Sequence, residues 1–126
     1  MKVGFVSAIL PDYTLDFHLV LGEQMEWSVA YALCYLWSET PQAGLVMKVG
    51  SDDEAKIFLN GKLLYQSVEA RALVSDSDTV TGVELKAGLN VLVLKVVNEI
   101  SDWQASVRFT DRVDQRVKGL QVRLAP

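Results

Sequence analysis

Asp52 and Asp53 stand side by side in Gly50-Ser51-Asp52-Asp53-Glu54, between two apolar runs. Adjacent residues of a regular strand point to opposite faces, so these carboxylates converge on one cation only where the backbone is irregular. A cis peptide between them would do this, at a cost of about 3 kcal/mol for a non-proline bond. The alternative is that both cap turn amides, a role aspartate takes readily. Asp76 and Asp78 also lie close together, but their loop lacks the glycine and distal glutamate of an EF-hand, which leaves them as turn residues.

Other chemistries find less support. The only histidine, His18, sits in Leu15-Asp16-Phe17-His18-Leu19 with no nucleophile-elbow pattern near any serine. The only cysteine, Cys34, excludes an intrachain disulfide and, with a single histidine, cannot supply a typical zinc set. It reads as a small buried hydrophobe. The eight glycines are scattered singly, so no phosphate-cradling loop exists. An acid/base pair would have to come from dispersed aspartates, and the expectation is a protein that is not an enzyme.

The second constellation is aromatic. Over Glu26 to Ser38, read as one strand, Trp27, Val29, Tyr31, Leu33, Tyr35 and Trp37 share a face, and Ser28, Ala30, Ala32, Cys34 and Leu36 share the other. Core packing is the first reading of the aromatic face, because exposed rows of aromatics are rare. The second is an open platform for sugar rings, whose C–H faces pack on flat π-systems, with Tyr35 and Trp37 as candidate ligand-binding rings.

These residues must be held by strands. Asn60-Gly61 between Ile57-Phe58-Leu59 and Lys62-Leu63 predicts a two-residue type I′ hairpin, whose central positions both need φ > 0. Leu89 to Val97 alternates so that Asn90, Leu92, Leu94 and Val96 share one face. That strand reads as buried on both faces, with Lys95 the one charge in an inward-looking set. Trp103, Ala105, Val107 and Phe109 alternate inward against Gln104, Ser106, Arg108 and Thr110. Val80 to Leu85 is a further run, broken by a bulge at Gly82. Val3–Leu10, Leu45–Val49, Leu63–Ser67 and Leu120–Leu124 are also strand-like. No segment carries a helical repeat. Short strands with turns at this spacing predict an all-β antiparallel sandwich or barrel.

With 126 residues, no linker and no internal repeat, residues 1–126 read as one domain able to bury its own core. The net charge of −4 and the absence of a basic cluster argue against nucleic acid or an anionic membrane surface as partner. No stretch is apolar enough to span a bilayer, and Met1 to Val6 does not open a signal peptide.

Several stretches together resemble the galactose-binding-like jelly-roll modules related to the protective-antigen carbohydrate-binding domain. They are Ala30-Tyr31-Ala32, Gly50-Ser51-Asp52-Asp53, Lys56 to Lys62, Arg71, Leu85-Lys86-Ala87-Gly88-Leu89-Asn90 through Val96, and Trp103 with Arg108 and Asp111. The resemblance covers about residues 26 to 112. It implies a jelly-roll β-sandwich of two antiparallel sheets, commonly appended to large secreted bacterial proteins, and hence an extracytoplasmic location. In the calcium-dependent sugar-binding members an Asp-Asp pair holds the ion, and Asp52 and Asp53 match that pair in type and place. Asn98 is the candidate for the further asparagine ligand. The chain departs at Glu54, where many relatives have glycine to ease the turn. Arg71 and Arg108 are expected to pair with carboxylates at the sheet rim.

The expectation is therefore a non-catalytic carbohydrate-binding accessory module, with calcium as candidate cofactor at Asp52 and Asp53. The alternative is a structural spacer or protein-interaction domain, whose partner is a neighbouring protein domain.

Overall fold

The computed structural model of the chain describes residues 14–17, 27–52, 54–67, 78–98 and 104–123. Among them run β1 (Thr14–Asp16), β2 (Ser28–Ser38), β3 (Gln42–Asp52), β4 (Ala55–Leu59), β5 (Lys62–Ser67), β6 (Asp78–Leu85), β7 (Gly88–Asn98), β8 (Gln104–Thr110) and β9 (Leu120–Arg123). They form two antiparallel sheets, four-stranded in the order β1-β8-β3-β6 and five-stranded in the order β5-β4-β7-β2-β9. This is the jelly-roll sandwich expected from the sequence. The predicted segments at Val3–Leu10, His18, Asp53, Arg71, Asp76 and Trp103 lie outside the described residues.

Alternation along each strand builds the core. Ala55, Ile57 and Leu59 of β4 and Leu92, Leu94 and Val96 of β7 face Leu45, Met47 and Val49 of β3 and Val83 and Leu85 of β6. Ala105 of β8 is buried with them, while Val107 and Phe109 pack against the cluster. The turn chemistry follows the sequence: Asn60 and Gly61 have φ of 50° and 81°, both positive as a type I′ turn needs. At Gly82, φ is 68°, and the β3–β6 register slips between Val83 and Val80, which is the expected bulge.

Polar groups close the sandwich at its margins. β5 and β6 are each the edge of their own sheet, and the Tyr65 hydroxyl donates to Oδ2 of Asp78 across that gap. At the start of β7, the buried Asn90 donates Nδ2 to the carbonyls of Leu36, Lys86 and Gly88 at 3.3, 2.9 and 3.2 Å. Its Oδ1 accepts from the Lys86 amide at 3.0 Å. The side chain thus satisfies a turn that would otherwise bury orphaned backbone groups.

Candidate functional site

Because the residues of β2 alternate, one of its faces must enter the core, and it is the small one. Leu36 and Ser38 are buried, and Ala30, Ala32 and Cys34 pack against the core. The row Val29, Tyr31, Leu33, Tyr35 and Trp37 lies on the outer face of the five-stranded sheet, and Trp27 just before the strand is exposed, which overturns the first reading of this row as core. The cause sits one strand away. Asn90, Leu92, Leu94 and Val96 of β7 occupy the inner face in register with Leu36, Cys34, Ala32 and Ala30. The bulk of Leu92, Leu94 and Val96 fills the space between the sheets opposite Cys34, Ala32 and Ala30, which are small enough to fit beside it.

The exposure of this row is uneven. Trp27, Tyr31, Leu33 and Val29 are 75, 68, 53 and 48 % exposed, whereas Tyr35 and Trp37 are half-buried. Trp37 is covered by Arg123 of β9, whose guanidinium carbon stands 4.6 Å from the ring centroid, a cation–π contact. Tyr35 is the register partner of the same Arg123. Trp27 enters β2 with φ of 50°, a left-handed conformation that costs a bulky residue about 1–2 kcal/mol. The open part of the row therefore runs from Trp27 to Leu33.

Neighbouring strands widen the row into a surface. Across the sheet, Leu33 pairs with Val93, Val93 with Phe58, and Phe58 with Leu63. One rung along, Tyr31 pairs with Lys95, Lys95 with Lys56, and Lys56 with Gln66. Lys95 thus stands on the outer face, and the odd-numbered side chains from Leu89 to Val97 are half-buried there rather than sealed in a second core. The result is a face of flat rings and apolar side chains crossed by one polar rung. Chemically it can stack on ring C–H faces and offer hydrogen bonds from Lys and Gln.

Asp52 lies at one end of the sandwich. Asp52 ends β3 and pairs with Gln104 of β8. Asp53 is outside the described residues, and β4 begins at Ala55 in the other sheet. Glu54 O accepts from Val97 N at 2.8 Å, which sets Glu54 beside the end of β7. Asn98 is there, but as the last residue of β7, fully buried and paired with Ser28, not in the loop expected from the sequence. The fold therefore carries Asp52 and Asn98 to the same end. Among the described residues, no group of three or more His, Cys, Asp or Glu side chains draws together as a metal site.

Elsewhere, Arg108 reaches Asp114 at 3.9 Å, a carboxylate partner as expected, and Lys48 makes the closer pair with Asp114 at 2.7 Å. Burial pushes the Cys34 thiol up to about 11, which keeps it protonated and inert at neutral pH. An open cleft of about 450 Å³ at the opposite end is lined by Pro41, Gln42, Asn60, Glu84, Leu85 and Lys86 among others, with no aromatic ring. No described helix is long and apolar enough to cross a membrane.

No protein-family model matches the chain, and no curated protein matches it. Among solved structures it is similar to a family 35 carbohydrate-binding module from an environmental isolate, at 19% identity and a TM-score of 0.51. That likeness covers 82% of this chain and 78% of the other, and it shows a shared fold.

Proposed function

We propose that the chain is a non-catalytic carbohydrate-binding module whose ligand lies along β2, on the outer face of the five-stranded sheet. The observation that carries this reading is the exposed row, with Tyr31 presenting its ring at 68 % exposure from β2 and Trp27, just before the strand, at 75 %. The 11 residues of β2 span about 33 Å in extended chain, enough for several sugar rings in line. Core formation requires none of these side chains, since the inner face of β2 is filled without them. The resemblance of the fold to a carbohydrate-binding module supports the same reading. Tyr35 and Trp37 continue the row, and Arg123 would then act as a clamp that holds the Trp37 ring flat.

Calcium belongs to this proposal as a second element. Asp52 and Asp53 would hold the ion with Asn98, a reading supported by the hydrogen bond from Val97 N to Glu54 O, which sets Glu54 beside the end of β7. Bound there, the ion would supply a hard cation able to accept sugar hydroxyls as ligands. An extracytoplasmic location, beside the polysaccharides such a module would meet, goes with the reading.

The test is a glycan and polysaccharide binding screen with calcium and with chelator, on the wild type, Trp27→Ala, Tyr31→Ala and Asp52→Ala/Asp53→Ala. The expected result is binding lost in the two aromatic variants while their melting temperatures hold. Binding that survives both variants but disappears with chelator would move the site to the acidic end. A folded protein that binds no glycan at all would favour the spacer or protein-interaction reading, with the apolar face as its contact surface.

A further inference from the structure

We infer that the outer face selects acidic saccharides, through Lys56 and Lys95 beside Tyr31; this rests on the carbohydrate reading above. Lys56 of β4 and Lys95 of β7 are direct register partners, with Cβ atoms about 5 Å apart on the same face. Like charges directly opposite one another destabilise a sheet. Both residues are half-buried, as lysines are when their stems lie along apolar surface and their ammonium heads reach outward. Among the described residues neither has a carboxylate partner, and the ion pairs present are those of Asp114 with Lys48 and Arg108. Glu54, at the adjacent same-face position on the β4 side, pairs with neither lysine.

This arrangement is not a by-product of a basic surface, since the chain carries a net charge of −4. Two unpaired cations have been placed side by side in the middle of an otherwise apolar face. Val29 and Val97 lie on one side of them, and Leu33, Val93 and Phe58 on the other. Places where a local rule is broken without internal compensation are where function is expected. An anionic group set between the two ammonium heads would relieve their repulsion. Tyr31 and Gln66 complete the same rung, at either end of the lysine pair. A saccharide ring resting on the exposed Tyr31 would place its carboxylate or sulfate over Lys95 and Lys56, with Gln66 able to bond a further hydroxyl. Lysine suits such a position because its flexible stem lies along apolar neighbours while its head reaches the anion.

The test is a binding titration with polygalacturonate against the same polymer fully methyl-esterified, which keeps the backbone and removes the charge. Dextran sulfate against dextran distinguishes a reader of sulfate from a reader of carboxylate. The wild type is expected to bind an acidic polymer at least tenfold more tightly than its neutral counterpart, with the preference fading as salt is raised. Lys56→Gln/Lys95→Gln should bring the affinities for acidic and neutral polymers level and melt no earlier than wild type. Equal affinity for acidic and neutral polymers, or a preference that the double variant keeps, overturns the inference while the carbohydrate reading stands. Poly-L-glutamate binding as tightly as the acidic polysaccharides would overturn it in favour of an acidic protein partner. Binding to none of these polymers overturns the inference, and the broader glycan screen then decides the carbohydrate reading.

Discussion

Asn60 donates its side-chain amide to Oδ1 of Asn90 at 2.8 Å, so the β4–β5 hairpin and the β6–β7 turn are held by one hydrogen bond between two asparagines. The hairpin residue also brackets Val91, accepting its amide at Oδ1 and donating its own amide to its carbonyl, at 2.9 and 2.8 Å. Asn90 is fully buried, so its removal strands polar groups that water cannot reach. Asn90→Ala is expected to cost about 3 kcal/mol in urea denaturation. Asn90→Asp should cost more at pH 7, because it turns a charge toward the carbonyls of Leu36, Lys86 and Gly88. Asn60→Ala, at an exposed turn, should cost less than either. Equal losses at all three would show that the turn, not the buried amide, carries the stability.

Trp27 separates stability from function. Its backbone is left-handed and its ring is solvent-exposed, so the residue costs conformational energy and contributes little packing. Trp27→Asn places a residue that tolerates this conformation, and should leave stability equal or up to about 1 kcal/mol higher. Glycan affinity should fall about tenfold, or about 1.4 kcal/mol. A variant that is destabilised by more than that gain, with binding intact, would make Trp27 a structural residue.

Arg123 and Trp37 can be separated in the same way. Removing the guanidinium by Arg123→Ala should cost about 0.5–1 kcal/mol and raise the quenching of Trp37 emission by acrylamide. Since one ring face is already covered, Trp37→Ala should reduce glycan affinity less than Tyr31→Ala. The opposite ranking in a binding titration would place the centre of the site at the β9 end of the row.

Strand positions and turns are legible in the sequence because alternation and turn chemistry are local. Asn60-Gly61, the Gly82 bulge and the strand from Leu89 to Val97 all follow from residues close in the chain. Which face of β2 is buried is not legible there. Both of its faces are largely apolar, and the choice is made by the bulk of Leu92, Leu94 and Val96 on β7, across the sheet. Lys95 reads as inward from the sequence for the same reason. Asn98 ends β7 rather than following it, because its backbone still pairs with Ser28 after the apolar alternation has stopped. The pairing of Lys56 with Lys95 depends on inter-strand register, which no single strand encodes.

On the other sheet, Asp114 is exposed, yet the hydrogen bond from Lys48 and then the charge of Lys48 hold its carboxyl below the usual carboxylate range, with a smaller pull from Arg108. A lowered folded-state value means that the pair stabilises the fold above the ordinary carboxylate range of about 3.9, and loses that effect as pH falls through the lowered value. An NMR titration of the Asp114 carboxyl should show a midpoint below the ordinary one. Lys48→Gln should return it upward and flatten the acid limb of the stability curve. An unchanged midpoint in that variant would assign the shift to Arg108.

The lysine rung predicts a trade of stability against binding. Lys56→Glu replaces a repulsive cross-strand pair by an attractive one, and cross-strand pairs of opposite charge contribute about 0.2–1 kcal/mol. Thermal or urea denaturation should therefore show the variant more stable than wild type, by an amount that shrinks at high salt. The same substitution puts a carboxylate where an acidic saccharide would place its own, so affinity for polygalacturonate should fall further than in Lys56→Gln. Lys95→Glu should behave alike, since either partner can supply the opposite charge. Restoring the repulsion between like charges by Lys56→Glu/Lys95→Glu should return stability to about the wild-type value while acidic binding stays lost. Variants that lose stability instead would mean that the lysine stems, on the same face as Phe58, Val93 and Val97, matter more than their charges.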